Sequence, residues 1–293
     1  MSAYVDPRFR PTLWPGTVIP APPLEPFTGV WVEGDWILWK PGPRRGQQPI
    51  ELPEDFYLRE FMDLSADDLE GIAEVFRTYG ALFHLSNDDL DLRSHSDEEL
   101  ERIRAIPEAG FDDQPYPFGV HREQVRLHVE TAQAAITTWL ACQREGGLEE
   151  LVAPEVTEET LASIQAENAH QNEVWPPSLD YLRNLLIELR VQELKTVLGA
   201  ALSRFSVGIG GLSDRYPTVH SVAFLQLYNH LAEGAAVRTC ANHNCGRDFV
   251  RQRGRANYGQ HRTTGIKYCS RECARAQAQR DLRRRRRTTE PTA

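Results

Sequence analysis

Four of the chain's five cysteines lie between Cys240 and Cys273, grouped as C-x4-C and C-x3-C with 23 residues between the pairs. No other feature restricts the fold as strongly. Two cysteines a few residues apart can hold one ion from a single tight turn. Two such turns complete the tetrahedral four-thiolate set that zinc favours. The chain opens on a proline-rich stretch without the basic-then-apolar order of a signal peptide, and no apolar run reaches the ~20 residues of a bilayer span. The expectation is a cytoplasmic, nucleoid-associated protein with no membrane partner. Thiols stay reduced there, and paired cysteines bind metal in preference to forming disulfides. One structural zinc ion on Cys240, Cys245, Cys269 and Cys273 is expected, with four free or redox-active cysteines as the competing reading.

The residues around the pairs supply a local plan. Gly246 directly after Cys245 suits the positive φ of a knuckle turn. Ser270 after Cys269 is a good helix N-cap and puts Cys273 in the first turn, where free backbone N–H groups stabilise a thiolate. R-D-F-V-R-Q and G-I-K-Y read as strands of a hairpin between the pairs, and Phe249, Ile266 and Tyr268 as a minimal apolar core. Knuckle, hairpin and ligand-bearing helix make a treble-clef-like plan. His243 and His261 lie close by, but four cysteines already complete the site. A closed site leaves no position for a reactive water, so the zinc is expected to be structural.

Charge separates this segment from the rest. The net charge is −9, yet Arg238 to Arg287 hold 15 Lys/Arg against 3 Asp/Glu. An acidic body thus carries a basic module. The run from Arg271 to Arg287 reads as a helix with Arg271, Arg275, Arg280, Arg283, Arg284, Arg286 and Arg287, and the preceding loop adds Arg251, Arg253, Arg255, Arg262 and Lys267. Such a helix suits a major groove, with arginines on phosphates or guanine edges. A solvated tail is the bland alternative.

V-R-T-C-A-N-H-N-C-G-R-D-F followed by K-Y-C-S-R-E-C-A-R-A-Q-A-Q-R-D-L-R-R-R resembles the C-terminal zinc finger of CGNR-type proteins, from about His230 onward. That family's C-x4-C-G-x-x-F is matched by Cys240, Cys245, Gly246 and Phe249. Its aromatic and C-S step is matched by Tyr268, Cys269 and Ser270, and a basic helix follows. The eponymous Cys-Gly-Asn-Arg is Cys273-Ala274-Arg275-Ala276 here. The resemblance implies a bacterial stress-induced transcription regulator: a treble-clef-like zinc finger on DNA, and a helical N-terminal domain that senses a signal.

The rest of the chain reads as mainly α (α+β). Residues 1–26 hold seven prolines and form an extended arm. Residues 27–235 form an acidic, mostly helical domain that starts with a Trp-rich hairpin, Val30–Val32 against Trp36–Trp39. Residues 236–287 are the zinc finger and 288–293 a disordered tail. In the helical domain, Ser65 with Asp68 reads as an S-x-x-D cap for a helix carrying Leu69, Ile72, Ala73 and Phe76, stopped by Gly80. A long helix from about Gly119 to Arg144 presents Val125, Val129, Ala132, Ile136 and Leu140, with Cys142 a buried thiol. A shorter helix spans Glu158–Asn168. The strongest helix follows Pro176-Pro177 and carries Leu182, Leu185, Leu186, Leu189, Leu194, Val197, Leu198 and Leu202. A last one runs from Thr218 to Leu231. Asp88-Asp89, Asp112-Asp113 and Gly208–Gly211 read as loop and linker.

Together these point to a zinc-dependent DNA-binding protein that is not an enzyme. RNA is the alternative partner, and a homodimer and an effector on the helical domain complete the expected partners. A treble-clef nuclease is the enzymatic alternative, on the His243, Asn257, His261 order. Such a nuclease needs a metal-holding histidine on the helix, and this helix has none. His121 and His128, seven apart, read as a surface or packing pair.

Overall fold

β-Branched and aromatic residues on both sides of Gly34 form a hairpin of β1 (Val30–Glu33) and β2 (Trp36–Trp39). It is seen in a computed structural model that describes residues 4–9, 18–27, 29–40, 50–83, 101, 118–168, 175–203, 205, 217–250 and 266–289, without the side chains of 118 and 286–289. Asp88-Asp89, Asp112-Asp113 and Gly208–Gly211 lie outside these residues. β2 also pairs with β3 (Phe118–His121), giving an antiparallel sheet in the order β1-β2-β3. The long helix therefore starts later than its periodicity suggests. Phe118–His121 stays extended to fill β2's open edge, and His121 is the N-cap, its Nδ1 accepting from the Glu123 N–H at 3.2 Å.

Among the described residues there are seven α-helices: α1 (Leu69–Tyr79), α2 (Arg122–Cys142), α3 (Gly147–Val152), α4 (Glu158–Glu167), α5 (Leu179–Ser203), α6 (Val219–Ala232) and α7 (Arg271–Thr289), of which the short α3 is not among those expected. The α1 cap differs from the expected Ser65 box. Asp68 is itself the N-cap and accepts from the Gly71 N–H at 2.9 Å, while Ser65 offers only its carbonyl to Asp68. Gly80 ends α1 at φ 101°, and a Cβ there would run into the Glu25 carbonyl, so glycine also lets the N-terminal arm close on the helix. α7 runs to Thr289, two residues into the segment expected to be a disordered tail.

α2, α5 and α6 pack together around Trp139, Leu194 and Phe224, all fully buried, and the sheet covers α1 through the Phe27–Trp39–Phe76 ring cluster. On α2 the buried face is the expected one, with Val125, Val129, Ala132 and Ile136 inaccessible to solvent. On α5 the expected set holds in part: Leu182, Leu194 and Leu198 are buried, and Leu186, Val197 and Leu202 pack against the core. Ile187, Val191, Leu194, Leu198 and Ala201 face the core at 3.6-residue spacing, whereas Leu189 is 53% exposed. His121 meets Trp36 edge-on and His128 stacks on Phe83, so the two histidines serve different contacts. Burial pushes the Cys142 thiol up to about 12 and keeps it protonated.

The arm lies on this body. Phe9 and Leu24 are buried, and the Asn229 amide of α6 clamps the Ile19 backbone with two 2.9 Å hydrogen bonds. Asp6 is buried and held by Arg8, whose Nε and Nη2 reach its two carboxylate oxygens at 2.9 and 2.8 Å; Arg8 also meets Glu149 at 2.6 Å. Arg8→Ala strands that carboxylate and is expected to cost about 2 kcal/mol at neutral pH, read as a lower urea midpoint. The hydrogen bond from Arg8 holds the Asp6 carboxyl below its ordinary value. This stabilisation is therefore fully present above the ordinary carboxylate range and is lost as pH falls through the lowered value. The gap between the two proteins should close in acid; a pH-independent gap would assign the loss to packing alone.

Candidate metal centre and its arginine helix

The last turn of α6 feeds directly into the cysteine module. β4 (Arg238–Thr239) pairs with β5 (Asp248–Phe249) and closes the Cys240–Cys245 knuckle between them. Among the described residues, Arg247–Val250 and Ile266–Tyr268 form no ladder with each other; Arg251, Gln252 and Gly265 of the expected hairpin lie outside the described residues. Ile266–Tyr268 joins the knuckle through a backbone bond from the Ala241 N–H to the Lys267 carbonyl at 2.8 Å and brings Cys269 under it. Inside the knuckle the Asn242 carbonyl accepts from the N–H groups of Cys245 and Gly246, and Gly246 takes φ 58°, the left-handed turn its position calls for.

The four thiols converge. Their sulfurs all lie within 4.8 Å of one another, with Cys245–Cys269 at 3.6 Å and Cys269–Cys273 at 3.5 Å. A tetrahedral ion with ~2.3 Å bonds spaces its sulfurs about 3.8 Å apart, so the geometry fits one zinc-sized ion held by Cys240, Cys245, Cys269 and Cys273. Four thiolates close such a shell, and the ion would tie chain segments together.

Local hydrogen bonding prepares the ligands. The Cys269 N–H points to the Cys240 sulfur at 3.4 Å, and Ser270 Oγ accepts from the Cys273 N–H at 3.2 Å as the N-terminal cap of α7. Burial raises the Cys269 and Cys245 thiols. Burial also pushes on Cys273, but hydrogen bonds from Ser270, Cys269, Asn242 and Cys245 outweigh it and bring that thiol down to about 7. Phe249 is fully buried against Cys240 and Cys269, with Ile266 and Tyr268 packed on them, as the sequence implies.

The body contributes to the site through residues that sequence patterning missed. Asp55 is fully buried, in a left-handed conformation at φ 60°, at the start of a single 3-10 turn (Phe56–Leu58) packed on α6. Its Oδ2 accepts from the Val250 N–H at 3.2 Å, and its Oδ1 lies 3.7 Å from Nε2 of His230, whose Nδ1 meets the Tyr57 hydroxyl at 2.7 Å. Arg59, 7% exposed, donates to the Cys269 carbonyl at 3.2 Å. Val250 itself joins the body's core. The Arg247–Asp63 pair at 2.8 Å adds little, because both side chains are more than half exposed. A cleft of about 500 Å³ lies between α2, α3 and the β4–β5 ladder.

α7 leaves the metal centre at about 28 Å in length. Arg271, Arg275, Arg283, Arg284 and Lys267 are exposed, as is Arg285, which the sequence reading left out although it belongs to the same run. Arg280 has a different position from the rest: its guanidinium lies against Asn242 Oδ1 and Gln277 Oε1 and pins the helix to the knuckle. Gln277, buried, accepts from the His243 N–H at 3.3 Å. Arg251, Arg253, Arg255, Arg262, Asn257 and His261 lie outside the described residues, as do the side chains of Arg286 and Arg287. Among the described residues no helix is long and apolar enough to cross a membrane.

Compared with models of protein families, with curated proteins and with solved structures, the chain finds no match.

Proposed function

We propose that this chain is a zinc-dependent DNA-binding protein of the transcription-regulator kind that its CGNR-like C-terminal motif suggests. The observation that carries the reading is the coupling of one metal centre to one helix. Cys273 in the first turn, with Gln277 and Arg280 in the next two, fixes α7 to the knuckle and leaves exposed arginines on its outer side. Zinc here serves structure: it orients a basic helix, and the arginines supply affinity through phosphate charge. The acidic body carries the module on a rigid support. Anisotropy titration of zinc-loaded full-length protein with mixed-sequence duplex DNA tests the reading. Binding should weaken by decades from low to physiological salt and be lost in Cys269→Ser. Salt-insensitive or absent binding, or stronger binding to structured RNA in competition, would refute it.

A further inference from the structure

The anchors that hold α7 also fix which way the helix is turned, and this extends the DNA-binding reading above, on which it rests. Cys273, Gln277 and Arg280 face the knuckle. At about 100° per residue, Arg271, Arg275, Gln279 and Leu282 fall in one stripe nearly opposite those anchors. All four are exposed, and Leu282 is the single large apolar side chain on that stripe, at 51%. Arg283 and Arg285 fall about 80° to either side of the stripe, so they flank it in the C-terminal half of the helix. In the N-terminal half the shoulders carry Ala274, Ala276 and Ala278, which add little width, and the exposed Glu272 in the first turn on the Arg283 side.

Phosphate binding alone calls for cations and gives no role to a glutamine and an exposed leucine in the middle of the outward stripe. A groove does. An α-helix is about 10–12 Å across and the B-DNA major groove about 12 Å wide, so a helix seated in it turns one stripe to the base edges and its two flanks to opposite phosphate walls. The deep, narrow major groove of A-form RNA does not admit such a helix. We infer that α7 reads base pairs in the major groove of duplex DNA through Arg275, Gln279 and Leu282, while Arg283 and Arg285 take phosphates on opposite walls. Arg275 has the two-pronged donor geometry that matches guanine O6 and N7, the Gln279 amide matches adenine N6 and N7, and Leu282 matches a thymine methyl. From residue 275 to 282 the helix rises about 10 Å, which is about three base-pair steps.

The test is selection from a random duplex pool by zinc-loaded full-length protein, followed by binding of the enriched and scrambled duplexes across a salt series. An enriched word of about three base pairs is expected. Gln279→Ala and Leu282→Ala, both helix-favouring exposed changes, should cut the preference for that word by about tenfold each and leave the salt slope unchanged. Arg283→Ala combined with Arg285→Ala should weaken both duplexes equally and reduce the log–log salt slope by about two. Steep salt-dependent binding with no enriched word, or a word indifferent to positions 279 and 282, overturns the base-reading assignment while leaving DNA binding intact. No salt-sensitive duplex binding at all, or displacement of duplex by structured RNA, overturns this assignment and the DNA reading together.

Discussion

Stripping zinc with a strong chelator is expected to unwind α7 and leave the body folded. The driving terms are unequal. Ordering the knuckle and helix costs about 1–2 kcal/mol of backbone entropy per residue. Phe249, among the described residues the one large apolar side chain fully buried in the module, returns about 2–3 kcal/mol. Metal ligation supplies about 10–16 kcal/mol in modules of this kind and decides the balance. A 19-residue helix with five consecutive arginines repels itself and is marginal without its anchor. The body has a large core of its own, from the sheet to α6. The chain's six tryptophans all precede Pro176, so their emission reports the body, while far-ultraviolet circular dichroism loses the contribution of α7. A thiol reagent at mildly alkaline pH should then count four cysteines, and a fifth only in guanidinium, because Cys142 is buried with its thiol pushed up to about 12. A tryptophan shift in step with the helix loss would show instead that body and module unfold as one unit.

Asp55→Ala is expected to destabilise the full-length protein by about 2–4 kcal/mol, the cost of a buried N–H left without its acceptor together with the left-handed backbone. The substitution leaves the Val250 N–H without its carboxylate acceptor, takes the carboxylate from beside His230, and places alanine at φ 60°, a conformation it adopts at a cost of about 1 kcal/mol. Asp55→Asn keeps an acceptor for Val250 and tolerates the left-handed backbone, so it should lose much less. Urea unfolding followed by tryptophan emission measures both. The arrangement also demands that Asp55→Ala weaken zinc retention, since β5 and the knuckle hang from Val250. Equal zinc affinity in Asp55→Ala and the unaltered protein would mean that the join carries no load for the metal centre.

The metal centre was legible in the sequence because its signals are local. Spacing brings the cysteines together, Gly246 permits the knuckle, and Ser270 caps the helix, each within a few residues of the atom it serves. The same holds for the Trp-rich hairpin and for the α2 face built on Val125, Val129 and Ile136. What escaped depends on residues far apart in the chain. P-E-D-F-Y-L-R-E around Asp55 and Arg59 carries the composition of a solvated turn, and only the arrival of Val250 and Cys269 makes those charges buried. Phe118–His121 is too short to separate by periodicity from the helix it precedes, and it becomes a strand because β2 offers an open edge. On α5 the expected Leu182, Leu194 and Leu198 lie on the buried face, but Ile187, Val191 and Ala201 share it and Leu189 does not, since burial follows angular position rather than side-chain size.

The contacts of Asp55 and Arg59 bridge 195 and 210 residues of chain. Contacts of such separation form late, after the segments between them have found their own partners. During synthesis from the N-terminus, the 3-10 turn at Phe56–Leu58 is made early but must wait for α6 (Val219–Ala232), which comes only shortly before Cys269. The surface that receives the knuckle is therefore finished first, and the arginine helix is the last element to be set in place. Unfinished chains lack the seat that Asp55 and Arg59 give the knuckle. Assembly order thereby puts the basic helix last, and the knuckle that orients it has its full seat only once α6 is in place.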